Sequence, residues 1–321
     1  MLASTVGAMS LDLDRIRAAH ERIRPHVHRT PVLTSARLDE ASGAKLFFKC
    51  ENLQKIGAFK ARGATNAVFS LDDAIAKRGV ATHSSGNHGT ALARAAKLRG
   101  IPAHIVMPKN SAKVKVRAVE SFGAQIVFCE PNDAAREAAC ADVIAKTGAT
   151  LIHSFENEEV MAGQGTAAIE LLEEVDVDLV ICPVGGGGLL SGTAVAAKSM
   201  RPKIKVIAVE PENADDAAQS FRAKKRIVTE KQFTIADGLR TNVGEKTFPL
   251  IERYVDEIVT VGEEAIISGM RTIWETMKII IEPSAGVPYA AIAERKIDIA
   301  GRRVGIILTG GNVDLDALPW A

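Results

Sequence analysis

Residues 178–192 read DLVICPVGGGGLLSG: an apolar run, four consecutive glycines (Gly185, Gly186, Gly187, Gly188), then Leu189, Leu190, Ser191 and Gly192 opening a helix-like segment. The run LVICPV has no polar face, and a strand apolar on both sides belongs in a parallel sheet covered by helices. Glycines let successive backbone N–H groups point the same way and a helix start adds positive potential, so the quartet makes a cradle for a phosphate. A dinucleotide fingerprint would need its third glycine at Leu190 or Ser191, and no Gly-Lys-Ser/Thr follows, so neither a dinucleotide nor ATP is indicated. A plain flexible turn is the alternative; the strand before it and the helix after it argue against that.

The alternation extends in both directions. Strand-like runs stand at 45–51 (KLFFKCE), 79–85 (GVATHSS), 103–108 (AHIVMP), 124–130 (AQIVFCE), 205–211 (KVIAVEP), 257–261 (EIVTV) and 303–311 (RVGIILTGG), with helix-length stretches such as 87–100 and 161–175 between them. Strands alternating with helices imply an α/β fold built from right-handed crossover units. Closely spaced units over 77–148 are enough for a small four-stranded domain; residues 1–72 and 150–321 would form a large, discontinuous domain around it, since no Pro/Gly/Ser linker separates the two. Ligands of open α/β folds sit beyond the carboxyl ends of strands, which points to the cleft between the domains.

Three more stretches carry chemistry. In GAFKARGA (57–64), Lys60 stands among small residues and Phe59, with Arg62 two positions on. A lysine partly withdrawn from water near another cation loses basicity and becomes a usable nucleophile or base, although a solvated lysine at a helix start explains the stretch equally simply. Ser84-Ser85-Gly86-Asn87-His88-Gly89 joins a strand to a helix; its hydroxyls, amide and helix N-terminus form a seat for a carboxylate, or an ordinary N-cap. Thr309, in LTGGN (308–312), could hydrogen-bond a heterocycle nitrogen without charging it, or merely close a strand turn.

Together these stretches resemble the fold-type II pyridoxal phosphate (PLP) enzymes, in the serine/threonine dehydratase and serine racemase family, with the likeness strongest to the eukaryotic-type racemase branch. It runs from about residue 15 to the end, on TPVLTS (30–35), LFFKCENLQKIGAFKARGA (46–64), THSSGNHG (82–89), AGQGT (162–166), PVGGGGLLSG (183–192), VEPENADD (209–216), TIADGL (234–239), EPSAG (282–286) and LTGGNVDL (308–315). The resemblance implies a tryptophan-synthase-β-like fold of two open, twisted, mostly parallel sheets. It implies that Lys60 holds PLP as a Schiff base, that Phe59 packs near the ring and that Asn87 bonds the phenolic oxygen. Gly185, Gly186, Gly187, Gly188 and Leu189 would bind the phosphate, Thr309 would face the ring nitrogen, and Gly238 and Glu282 would also lie at the cofactor. Ser84, Ser85, Asn87 and His88 would hold the substrate α-carboxylate.

A hydroxyl at the ring nitrogen, in place of a carboxylate, suits the family's β-elimination: Lys60 removes the α-proton as general base, the β-hydroxyl departs, and a keto acid and ammonia result. Ser85, on the opposite ring face, is where the family places the second proton donor for racemisation. The resemblance also makes Glu210, the backbone carbonyl of Ala214, and Asp216 ligands of a divalent cation (Mg, Mn or Ca); alone, this acidic run would read as a helix cap. Arg136 and Arg240 are candidates to face the cleft, where either would favour a second substrate carboxylate; as surface arginines they would need no partner. Serine, threonine and 3-hydroxyaspartate all stay open as substrates. The alternatives to a dehydratase are a serine or aspartate racemase using Lys60 and Ser85, and a non-catalytic PLP-binding protein. Two positions depart from the family: Ala58 where most members have serine, and Phe155 where racemases would have asparagine and degradative dehydratases phenylalanine.

Composition narrows the partners. Forty basic and 39 acidic residues leave a net charge of +1, so no broad field attracts nucleic acid or an acidic membrane. Aromatics at 4% argue against base-stacking platforms. No apolar run is long enough to span a bilayer, and the N-terminus becomes an amphipathic helix near Leu11 with no basic region ahead of an apolar core, so a cytoplasmic protein is expected. Cys50, Cys129, Cys140 and Cys182 are widely spaced without a CxxC pair, which favours buried thiols over disulfides or zinc. The expected partner is a small amino acid, and family habit adds a homodimer. The chain ends at DLDALPWA, so no regulatory extension is expected.

Overall fold

The computed structural model describes residues 11–230 and 233–320. The reading of the first ten residues as free of a leader falls outside that range. The described strands are β1 (Val32–Leu33), β2 (Lys45–Cys50), β3 (Val80–His83), β4 (Ala103–Pro108), β5 (Gln125–Cys129), β6 (Thr150–Leu151), β7 (Leu179–Pro183), β8 (Lys205–Pro211), β9 (Glu257–Val261) and β10 (Arg303–Leu308). They form a six-stranded sheet in the order β1-β2-β10-β7-β8-β9 and a four-stranded sheet in the order β5-β4-β3-β6. All pairings are parallel except β1 with β2. The chain therefore has the two-sheet α/β fold that the resemblance implied.

The central strands carry the side-chain pattern that this architecture requires. Every residue of β4 and β7 is buried, as is all of β10 except its first residue, because helices cover both faces. The edges differ: β1 and β6 are two residues long, too short to show a period in sequence. Thr150 and Leu151 of β6 pair with Val80 and Ala81 of β3. The smaller sheet thus takes in residues that sequence alone assigned to the larger domain, because the β3 edge offers backbone groups that a hydrophobicity pattern does not register.

The helix Lys60–Phe69 is buried continuously from Ala61 to Val68. It packs on the long helix Glu158–Glu174, and its charge is neutralised internally. Arg62 is fully buried and makes forked pairs with Glu51 and Glu170, while the equally buried Lys49 reaches Glu170 at 2.7 Å and the Thr30 carbonyl at 2.6 Å. A sealed ion network such as this holds its geometry only when every lone pair and N–H is used. Here it fixes the end of β2 to the first turns of the Lys60 helix. All four cysteines are buried and free. Among the described residues no helix is long and apolar enough to cross a membrane.

Candidate active site

The carboxyl ends of β2, β3, β7 and β10 supply the four loops singled out in the sequence. After β2 the chain makes a turn in which Ile56 (φ 60°, ψ 11°) and Gly57 (φ 71°) both take left-handed conformations. Residues 57–59 then run antiparallel to 309–311: Gly311 N–H donates to the Gly57 carbonyl at 2.9 Å, Phe59 N–H donates to the Thr309 carbonyl at 3.0 Å, and Ala58 bridges Gly310. This backbone ladder joins the segment that presents Lys60 to the one that presents Thr309. Ala58 is fully buried within it.

Lys60 opens its helix with Nζ donating to the Ser154 carbonyl at 3.0 Å and lying 5.1 Å from the centre of the Phe59 ring. Burial lowers its pKa to about 8, partly offset by the charge of Glu282. An amine so placed gives up its proton near neutrality, as a nucleophile or base must.

The glycine quartet follows β7. Gly187 has φ 88° and the helix Gly188–Met200 starts at once. The Gly186 carbonyl is turned outward, accepting from the Thr247 hydroxyl at 2.8 Å and from Gly244 N–H at 3.3 Å, which leaves the N–H side of the loop facing the other way. The first N–H groups of a helix have no acceptor within it. Phe155 lies flat against this loop: a Cβ on Gly186 would collide with its ring, and one on Gly188 would lie 2.9 Å from its Cβ. The glycines at 186 and 188 are thus required by the close approach of Phe155.

Thr309 is 3% exposed, and its hydroxyl has no hydrogen-bond partner among the described residues. A buried orphan hydroxyl costs free energy unless a ligand completes it. Beside it Glu282, 5% exposed, accepts from Asn87 Nδ2 at 3.0 and 3.1 Å and from Asn312 N–H at 3.2 Å. Burial pushes its carboxyl up to about 7, against the pull of the Asn87 hydrogen bond. Gly238 N–H is taken by Ser284 Oγ at 3.1 Å. Ser84 and Ser85 are half-buried between β3 and the helix Asn87–Arg99, with Ser84 Oγ accepting from Gly86 N–H at 3.3 Å.

Other expected residues are placed differently. The His88 ring is buried against the Ile152 carbonyl at 2.9 Å, and burial with the nearby Lys60 charge lowers its pKa to about 3, so only its backbone N–H is available to an anion. Arg240 donates Nε to the Thr234 carbonyl at 2.8 Å and stacks on Phe233, spending its guanidinium on its own loop. Arg136 is half-buried in the helix Asp133–Thr147, where its charge acts on the Cys129 thiol. Glu210 and Asp216 are both buried and electrostatically coupled, yet no cluster of three or more His, Cys, Asp or Glu suited to a metal occurs among the described residues. Nothing local marks the Ser154 carbonyl, Thr247 or Asn312, whose contacts arise only when distant loops meet.

An amine of lowered basicity, an N–H-lined cradle and an orphaned hydroxyl are the donors and acceptors that an aldehyde-bearing pyridine phosphate needs. Comparison with known proteins agrees. A model of the family described as pyridoxal-phosphate dependent enzyme matches residues 23–310. The β-hydroxyaspartate dehydratase of Paracoccus denitrificans (strain Pd 1222) is 51% identical over 304 residues, covering 94% of this chain and 96% of that protein. The serine racemase of Arabidopsis thaliana is 48% identical, covering 96% and 95% of the two chains. Among solved structures, maize serine racemase superposes with a TM-score of 0.93 at 48% identity, over 95% of this chain and 94% of its own. The chain belongs to the pyridoxal-phosphate dependent enzymes of fold type II.

Proposed function

We propose that this enzyme dehydrates and deaminates a small 3-hydroxy amino acid, with 3-hydroxyaspartate the foremost candidate and serine and threonine the others. The observation that supports this is the ladder joining 57–59 to 309–311, which ties the start of the Lys60 helix to Thr309, whose hydroxyl has no hydrogen-bond partner among the described residues. Bound PLP supplies an electron sink for charge developing at the substrate α-carbon. The chain's own residues do the rest. The cradle N–H groups from Gly185 to Leu189 hold the phosphate, and Thr309, a neutral hydroxyl, would meet the ring nitrogen without charging it. Ser84, Ser85, Asn87 and the His88 backbone hold the α-carboxylate at the start of their helix. Lys60 Nζ takes the α-proton; its lowered basicity leaves it free to do so near neutrality. The β-hydroxyl leaves as water, and water returns when the enamine product hydrolyses to keto acid and ammonia.

A second reading, racemisation, is supported by the likeness to serine racemases and by Ser85 on the β3 loop, from which it would return a proton to the opposite face. We also assign a divalent cation to Glu210, the Ala214 carbonyl and Asp216. Burial raises both carboxyls, Asp216 to about 6, with the charge of Asp216 adding to the effect at Glu210 and that of Asp215 at Asp216, and a cation would offset these. A cytoplasmic homodimer, and a large and a small domain built on the two sheets, complete the proposal. The test is release of keto acid and ammonia by PLP-loaded enzyme from serine, threonine and 3-hydroxyaspartate, with Lys60→Ala as control. Exchange of the α-hydrogen without ammonia would favour the racemase; neither release nor exchange on any of the three would overturn both readings.

A further inference from the structure

We propose that Asn312 is a positioning residue that sets the orientation of the Asn87 amide and, through the same side-chain nitrogen, holds the turn that delivers Lys60. The inference rests on the proposed function for its catalytic consequence, but not for its geometry. Asn312 Nδ2 donates to the Ile56 carbonyl at 2.8 Å and to Asn87 Oδ1 at 2.8 Å. Both partners are acceptors only, so the amide of Asn312 can face them in one sense alone; flipped, it would set oxygen against two oxygens. Asn87 is fixed from its other end as well, because its Nδ2 faces both oxygens of Glu282. Asn312 N–H closes the circuit by donating to Glu282 at 3.2 Å. The result is a ring of hydrogen bonds, Asn312 to Asn87 to Glu282 and back.

The Ile56 contact has a separate consequence. A β-branched residue at φ 60° is a backbone outlier that persists only where its surroundings hold it. Gly57 N–H to the Gln54 carbonyl at 2.8 Å, Lys55 N–H to the Gln54 side chain at 2.9 Å and the ladder bond from Gly311 N–H at 2.9 Å hold the turn around Ile56, and at the Ile56 carbonyl itself the holding bond is the one from the Asn312 side chain. Asn312 packs flush on Gly57, where a Cβ would lie 2.6 Å from its Oδ1. Lys60 follows four residues after Ile56, so the same amide governs both the direction of the lysine and the face of the asparagine. Asn312 is itself exposed, which points to orientation and not to stability as its contribution.

The test uses the full chain and the variants Asn312→Asp, which keeps the shape but cannot donate, and Asn312→Ala. In cofactor-free protein, hydrogen–deuterium exchange should quicken in peptides covering both 54–60 and 84–90, with little change in the unfolding midpoint. In PLP-loaded protein, the visible absorption band should shift in the same direction as in Asn87→Ala. kcat should fall roughly tenfold or more with a smaller change in KM, as expected for a misplaced reacting group. The double variant Asn87→Ala/Asn312→Ala should be no slower than Asn87→Ala alone. Unchanged exchange in either peptide, or a double variant whose loss is the product of the single losses, would overturn the assignment. The exchange arm decides it even if the wild-type chain takes up no PLP, a result that would instead sink the proposed function.

Discussion

Replacing Arg62 with methionine should unfold a large part of the protein's stability margin, by an amount that shrinks in acid. The guanidinium donates through Nε and Nη2 to Glu51 at 2.7 and 2.8 Å and through Nη1 and Nη2 to Glu170 at 2.7 Å each. With Lys49 the buried cluster holds two cations and two anions, so it has no net charge. Methionine keeps the unbranched apolar stem and removes the guanidinium, leaving two carboxylates facing one ammonium. Breaking a buried pair in this way costs about 3–5 kcal/mol, a third or more of the margin of a domain stable by ~10 kcal/mol. Burial alone would push the Glu170 carboxyl up, but hydrogen bonds from His20 and Arg62 and the charges of Arg62 and Lys49 hold it well below its ordinary value of 4.5. In the wild type, then, this group contributes stability that is present above the unfolded value and is lost only as pH falls toward the depressed folded one. In the variant burial prevails, the folded pKa rises above the unfolded one, and protonation relieves the buried charge. Urea unfolding at about pH 7 and about pH 5 should show the gap between wild type and variant narrowing in acid. A gap below about 1 kcal/mol at neutrality, or one that does not move with pH, would refute the account of the network.

Three further outcomes are expected. Gly57→Ala places a Cβ 2.6 Å from Asn312 at a residue with φ 71°, so it should cost about 1–2 kcal/mol in urea unfolding and weaken PLP retention in a fluorescence titration. In chelator the Glu210–Asp216 pair should make the protein less stable as pH rises from the unfolded aspartate value of 3.8 to the folded one of about 6, since a raised carboxyl is stabilising only while protonated. Magnesium or calcium should flatten that slope in thermal melts, and Glu210→Gln should abolish the response. Ser85→Ala should abolish racemisation, followed by chiral chromatography, while lowering ammonia release only as far as a weakened hold on the α-carboxylate does; equal loss of both would deny Ser85 a separate role as the opposite-face proton donor.

What the sequence disclosed of this site follows from where the chemistry sits. The glycine quartet, Ser84 to His88 and Thr309 each follow a strand closely, Lys60 follows β2 after two short turns, and the central strands were visible because burial makes them apolar on both faces: the run at 303–311 became a strand at 303–308, and the less uniformly buried run at 45–51 one at 45–50. Residue type and a flanking strand are local, so they could be read. The hidden parts are those in which the partner is remote or the interacting group is backbone. Arg62 looked like a second cation near Lys60, yet its charge is consumed by Glu51 and by Glu170, 108 residues away. Asn312 passed as the end of a loop motif, although it bonds Asn87 across 225 residues.

The ladder between 57–59 and 309–311 marks the limit most clearly. It is made wholly of N–H and C=O groups, which every non-proline residue carries alike, so no choice of side chain advertises it. Only its glycines hint at close approach: a Cβ at Gly57 would lie 2.6 Å from Asn312, one at Gly311 2.8 Å from the Ile280 carbonyl and one at Gly310 2.5 Å from Glu282. That contact is also why the ladder matters to the chemistry. It brings Lys60, Thr309 and the Glu282–Asn87 pair to one place through backbone bonds that no single side-chain substitution removes. A change at Phe155, which lies outside the ladder, can therefore alter the shape of the pocket while the segments that carry Lys60 and Thr309 stay joined, and substrate preference can drift on a frame that does not.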